Sequence, residues 1–206
     1  MLGDVTEAEI PTRVPQEERT RQMRRRLLEA TVDSLVELGW SGTTTTVVSQ
    51  RAGVSRGAQL HHFPTKHDLV VAAVEFITER RRSQMDAVLA DLPVEGRTRA
   101  VLEALTAQFI SPVFFAALEL WVAARTDESL RAEVGDLERR IGRETHAHAV
   151  TLLGIDESRG RNRQLVQATL DLVRGLGLAA TLSDDSMRRT AILDAWAITL
   201  DHELER

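Results

Sequence analysis

Apolar residues recur at helical spacing along almost the whole chain, and strand signals are nearly absent. The one β-branched cluster, residues 43–48, is too short and too polar to anchor a sheet. From about residue 19, Met23, Leu27, Ala30, Val32, Leu35, Val36 and Leu38 form a helical stripe that Gly39 ends. Thr44 or Thr45 can cap a short helix reaching Ala52, Gly53 breaks it, and Ser55 caps a second that stops at Pro64. Thr65 and Asp68 form a capping box for a helix over about 66–89, ahead of Pro93. Further helices are expected at about 95–109 and at 112–125, with Ser111 as cap and Pro112 in the first position. The last three are expected at about 127–152, closed by Gly154, then 158–182 and 185–204. About nine helices and no sheet make the expected fold class all-α.

The chain has 206 residues, 43% apolar and 28% charged, which is enough apolar material for a core. It has no cysteine, so disulfides and thiolate metal sites are excluded. Residues 1–18, with Pro11 and Pro15, read as a flexible tail that lacks the basic and apolar regions of a secretory signal. No stretch approaches the roughly 18 apolar residues of a membrane span. The expectation is a soluble cytoplasmic protein without membrane partners.

Net charge is −5, yet it is unevenly spread. Residues 13–66 carry nine Lys and Arg against five acids, a net of +4, while residues 67–206 carry 17 against 23, a net of −6. A basic head on an acidic body fits a head that meets nucleic acid.

That head contains TTTVVSQRAGVSRGAQLHHF, residues 44–63. Val48 and Ala52 share one face, Val54 can pack between the two short helices, and Gly53 can supply the positive φ of a tight turn. The second helix is expected to show Arg56, Ala58, Gln59, His61 and His62 outward. Such a face of donors and small side chains suits a major groove about 12 Å wide. Thr44, Thr45 and Thr46 stand at a helix N-terminus, where amides and hydroxyls can hold a phosphate, and Lys66 can do the same at the start of the next helix. An ordinary αα-corner with a polar outer face fits the same pattern. Adjacent His61 and His62 point about 100° apart on a helix and cannot readily share a metal. Glu144, His146 and His148 read as a solvated face rather than a metal site, so no metal is expected.

In the body, residues 109–125, FISPVFFAALELWVAAR, are the most aromatic. Phe114, Leu118, Trp121 and Arg125 fall on one stripe. They can line a pocket for an apolar molecule whose anionic or polar end faces Arg125 or Glu119. Plain core or dimer packing explains the stripe equally well. Residues 162–182 and 185–204 are apolar over too wide an arc for singly buried helices. Two copies of each can make a two-fold four-helix bundle, and core helices of a monomer are the alternative. There is no GxSxG, HExxH or phosphate-binding glycine loop, so no catalytic residue is assigned and an enzyme is not expected.

The run GWSGTTTTVVSQRAGVSRGAQLHHFPTKHDLV resembles the TetR family of bacterial transcriptional regulators. Gly39, Thr45, Ala52-Gly53-Val54-Ser55, Gly57, Phe63, Lys66 and Leu69 carry the resemblance, which covers about residues 20–70. It implies a three-helix DNA-binding domain over 19–66 and a six-helix ligand-binding and dimerisation domain over 67–206. It further implies a homodimer through about 162–182 and 185–204, with double-stranded operator DNA and a small-molecule effector as partners and no cofactor. On this resemblance, Thr45 and Thr46 meet phosphate and sometimes a base. Arg56, Gly57 and Ala58 begin the base-reading helix, His61 and His62 meet bases or backbone, and Lys66 binds phosphate. Thr44, Ser55 and Gln59 complete the expected DNA-contacting set. The family usually has Tyr where this chain has Leu60, and an apolar residue where it has Gln59. By family analogy Met85, Phe109, Trp121 and His146 join the pocket candidates. The expected function is a ligand-responsive repressor, with a helix-turn-helix regulator run by a protein partner, or by no ligand, as the alternative.

Overall fold

The computed structural model describes residues 16–205, and the side chains of all of them except 80–91. The described residues form nine helices and no strand. They are α1 (Gln16–Gly42), α2 (Thr45–Ala52), α3 (Arg56–His62), α4 (Lys66–Asp91), α5 (Arg97–Phe109), α6 (Pro112–Ala124), α7 (Glu128–Leu153), α8 (Asn162–Ala179) and α9 (Ser186–Glu203).

Local chemistry sets most of the boundaries. Thr44, Ser55, Thr65, Ser111 and Asp127 each accept an amide hydrogen bond at the start of a helix, and at Thr65 the reciprocal bond from its own N–H to Asp68 closes the capping box. Gly154 ends α7 in the left-handed region. α1 runs on to Gly42 past a non-helical Gly39, α8 stops at Ala179 instead of 182, and two helix starts shift by three residues or more. α1 begins at Gln16 instead of residue 19, because Glu17 and Glu18 favour a helix N-terminus and the Gln16 carbonyl accepts from the Thr20 hydroxyl. The rest of the expected tail, residues 1–15, lies outside the described residues. α8 begins at Asn162 instead of 158. The Asp156 carboxylate bonds the Ser158 amide and hydroxyl, and the Asn162 side chain donates to the Asp156 and Glu205 carbonyls, so the segment ahead of α8 is held as a turn.

The apolar interior has two parts. The first joins Leu27, Leu35, Val48 and Phe63 to Leu69, Val70, Leu120, Leu130 and Val134, so α1–α3 share it with α4, α6 and α7. The expected boundary after residue 66 falls inside this core. The second joins α5, the start of α6, the end of α7, α8 and α9. Trp121 packs against both. No single described helix is long and apolar enough to cross a membrane.

Candidate nucleic-acid interface and internal cavity

The turn between α2 and α3 depends on Gly53, whose φ of 63° is strained for any residue with a Cβ. Its N–H donates to the Gln50 carbonyl, and the Val54 N–H to the Ser49 carbonyl, a Schellman pair that reverses the chain. Val48, Ala52 and Phe63 are buried under the turn and Val54 is half-buried. A seven-residue helix is thereby fixed in orientation. Arg56, Gly57, Leu60 and His61 are exposed, and Ala58 and His62 are half-buried.

Gln59 departs from its expected outward position. It is fully buried, its amide donating to the Phe63 carbonyl at 2.7 Å and its carbonyl accepting from the Ser49 hydroxyl at 3.5 Å. An amide satisfied in this way takes the inward place of an apolar residue, and Leu60 stands outside in its stead. Thr44 and Thr46 are exposed at the start of α2, Thr45 is half-buried, and exposed Ser55 caps α3. Arg24 of α1 lies over the Phe63 ring, 4.7 Å from its centroid.

Lys66 points toward Trp40. Its ammonium donates to the Trp40 carbonyl and lies 3.8 Å from the ring centroid, and burial lowers its pKa. The lysine retains further donors, so this contact leaves capacity for a phosphate. The Trp40 N–H donates to Glu119 Oε2 of α6 at 2.8 Å, and His67 stacks beside Trp40 at 5.7 Å. The end of α1, the start of α4 and the middle of α6 therefore meet on one tryptophan.

A cavity of about 140 Å³ lies where the two cores adjoin. Phe109, Phe114 and Trp121 form an aromatic wall, with successive edge-to-face contacts of 5.4 and 5.9 Å. α7 contributes Val134, Glu138, Ile141, Thr145 and His148, spaced as one helical stripe, and α8 contributes Arg174. Burial pushes the Glu138 carboxyl above its ordinary range, against the pull of the Arg174 guanidinium and the Trp121 indole. Arg174 bonds Asp171 at 2.9 Å through one terminal nitrogen, while its buried Nε has no hydrogen-bond partner among the described residues.

Of the expected pocket residues, Phe109, Phe114 and Trp121 line this cavity. Leu118 is half-buried away from it, and exposed Arg125 lines an adjoining depression that shares Trp121, Val134, Glu138 and Arg174 with it. His146 turns from the cavity to pair with Glu157 at 2.8 Å, because it sits about 100° around α7 from Thr145. The Met85 side chain lies outside the described residues. Glu138, His148 and Arg174 were not anticipated. The α7 stripe has helical period, but its polar members resemble a solvated face until α4, α6 and α8 are seen to cover it.

A helix-turn-helix with an exposed second helix, tied to an all-helical body that encloses a cavity, defines a DNA-binding transcriptional regulator. The pattern described as "Bacterial regulatory proteins, tetR family" matches residues 27–73. The HTH-type transcriptional regulator CymR of Pseudomonas putida is 34% identical over 183 residues, spanning 86% of this chain and 89% of that protein. A transcriptional regulator from Rhodococcus sp. Rha1 has the same fold, with a TM-score of 0.68 at 23% identity over 89% of this chain and 98% of that one. A regulator from Saccharomonospora viridis, in complex with choline, aligns with a TM-score of 0.65 at 18% identity over 93% and 100%. The chain belongs to the TetR family of bacterial transcriptional regulators.

Proposed function

We propose that the protein represses transcription as a homodimer, and that a small, largely apolar effector releases it from a palindromic operator. The α3 helices of the two subunits would enter major grooves about one helical turn or slightly more apart. Arg56, Gly57, Ala58 and His61 would face the bases, and Thr44, Thr46 and Lys66 would meet phosphate.

The observation that carries this reading is the position of the cavity between two cores, one of which contains the head. A molecule that wedges there acts on α4 and α6, and both are bonded to the end of α1 through Trp40. An effector that prefers one spacing of the heads weakens operator binding by the same factor by which the operator weakens effector binding. A regulator worked by a protein partner alone would leave the cavity without a use.

Sequencing genomic DNA captured by the protein should recover a palindromic site. Arg56→Ala and His61→Ala should each weaken binding to it by about 1–3 kcal/mol without loss of fold. Unchanged operator affinity in both variants would remove α3 as the reading helix.

A further inference from the structure

We propose that the effector is a compact apolar monoanion, a carboxylate on a single ring or branched carbon frame, with its charged end against Arg174. The proposal deepens the effector reading above and rests on it.

Size and shape come first. A cavity of about 140 Å³ is close to the volume known to admit one benzene ring. Phe109, Phe114 and Trp121 give it an aromatic wall. Most of a bound molecule would meet carbon.

Polarity comes next. The Arg174 Nε–H is a buried donor with no acceptor among the described residues, although a terminal nitrogen of the same side chain is held by Asp171. A carboxylate oxygen is the strongest partner for such a group. Glu138 and Glu144 also line the cavity and oppose an anion, and His148 lines it with them. Burial raises the Glu138 pKa, so this carboxyl competes for Arg174 less strongly than an exposed carboxylate would. A cationic effector would set a second positive charge beside Arg174 and leave Nε without an acceptor.

The surface just outside the cavity carries the same charge bias. Trp121, Val134, Glu138 and Arg174 also line an outer depression, whose other charged residues are Arg125 and Arg131. Three guanidinium groups against one carboxyl attract an anion to this mouth. A second opening, between α1, α4 and α7, is lined by Arg24, Arg25 and Arg140 and by Glu75, Glu79 and Glu144, and has no such bias.

Titration calorimetry of the full chain with benzoate, benzamide and benzylammonium, three probes of one frame and different charge, tests this at neutral pH. Benzoate should bind at least about tenfold more tightly than either of the others. Arg174→Met should abolish that preference while leaving benzamide affinity within about twofold, and Arg174→Lys, which keeps the charge but lacks Nε, should narrow it. Benzamide or benzylammonium binding as well as benzoate overturns the proposal, and this comparison needs only the native chain. An undiminished preference in a folded Arg174→Met variant overturns it too. A wrong order of charge preference leaves the effector reading of the cavity standing. Failure of all three probes to bind removes that reading, and this proposal with it.

Discussion

A glutamine buried inside a short helix pair has to find partners for both ends of its amide, and Gln59 does so within its own neighbourhood. Replacing it with Ala strands the Phe63 carbonyl and opens space under α3. Gln59→Ala should therefore cost about 1–3 kcal/mol of stability. A matching loss of operator affinity is expected only where the head itself unfolds. Arg56→Ala should show the reverse pattern, since that side chain is exposed. Urea unfolding beside fluorescence anisotropy on operator DNA separates the two. Glu138 offers a second test, through pH. Its folded pKa is raised, so the folded state binds this proton more readily than the unfolded chain does. The resulting stability is fully present below the ordinary value of 4.5 and is lost as pH rises through the folded value. Glu138→Gln removes that loss. It should raise the melting temperature at pH 7 and leave it nearly unchanged below about pH 4.5. An equal gain at both pH values would show that packing, not charge burial, governs the site.

Elements meet closely where α1 ends. Gly39 has φ 65° and ψ −175°, a backbone region open essentially to glycine alone, and a Cβ there would stand 2.9 Å from Glu119 Oε2. Gly39→Ala should cost about 1–3 kcal/mol. Most of that cost should persist in a Glu119→Ala background, because backbone strain does not depend on the neighbour, whereas the crowding does. A double-mutant cycle by chemical denaturation reads the split. A cost that vanished in the double variant would mean that crowding alone requires glycine here. The same contrast between local and distant causes explains what was legible in the sequence. Thr65 with Asp68, Ser111 with Pro112, and Gly53 act within a few residues, so helix ends could be read directly. The phase of α3 could not, because seven residues make barely two turns and Gln59 is polar. The cavity was half legible. Phe109, Phe114 and Trp121 announce themselves by composition, while Glu138 and His148 acquire their role only from helices distant in sequence. His146 was misplaced for the same reason, since one residue of offset on α7 separates the cavity from the Glu157 side.

At the scale of the molecule, α8 and α9 pose the question of what covers them. Leu178 is 53% exposed, Leu182 93%, Met187 87% and Ile198 65%. Single exposed apolar residues are ordinary on a protein surface, but Leu178 of α8, Met187 and Ile198 of α9 and Leu182 between them lie close in sequence to exposed Ala168, Gly175, Ala191 and Ala195 on the same two helices. Small residues among large apolar ones permit close helix approach, and a stable self-association needs about 800 Å² from each partner. We expect this face to meet its own copy about a two-fold axis, which makes every change there count twice. Ile198→Glu sets two carboxylates into the paired surface while leaving each subunit's core untouched. Light scattering after size exclusion should show the native chain as a dimer at micromolar concentration and this variant as a monomer. Operator affinity should then fall by about 10²-fold or more, because the second head no longer binds as part of the same particle. Affinity for a single half-site should stay as it was. The salt dependence of operator binding should also fall by about half, since each free head releases counterions from one half-site only. A variant that stays dimeric would place the subunit contact elsewhere on the molecule. A native chain that is monomeric yet binds the palindrome tightly would show that the heads pair only on DNA.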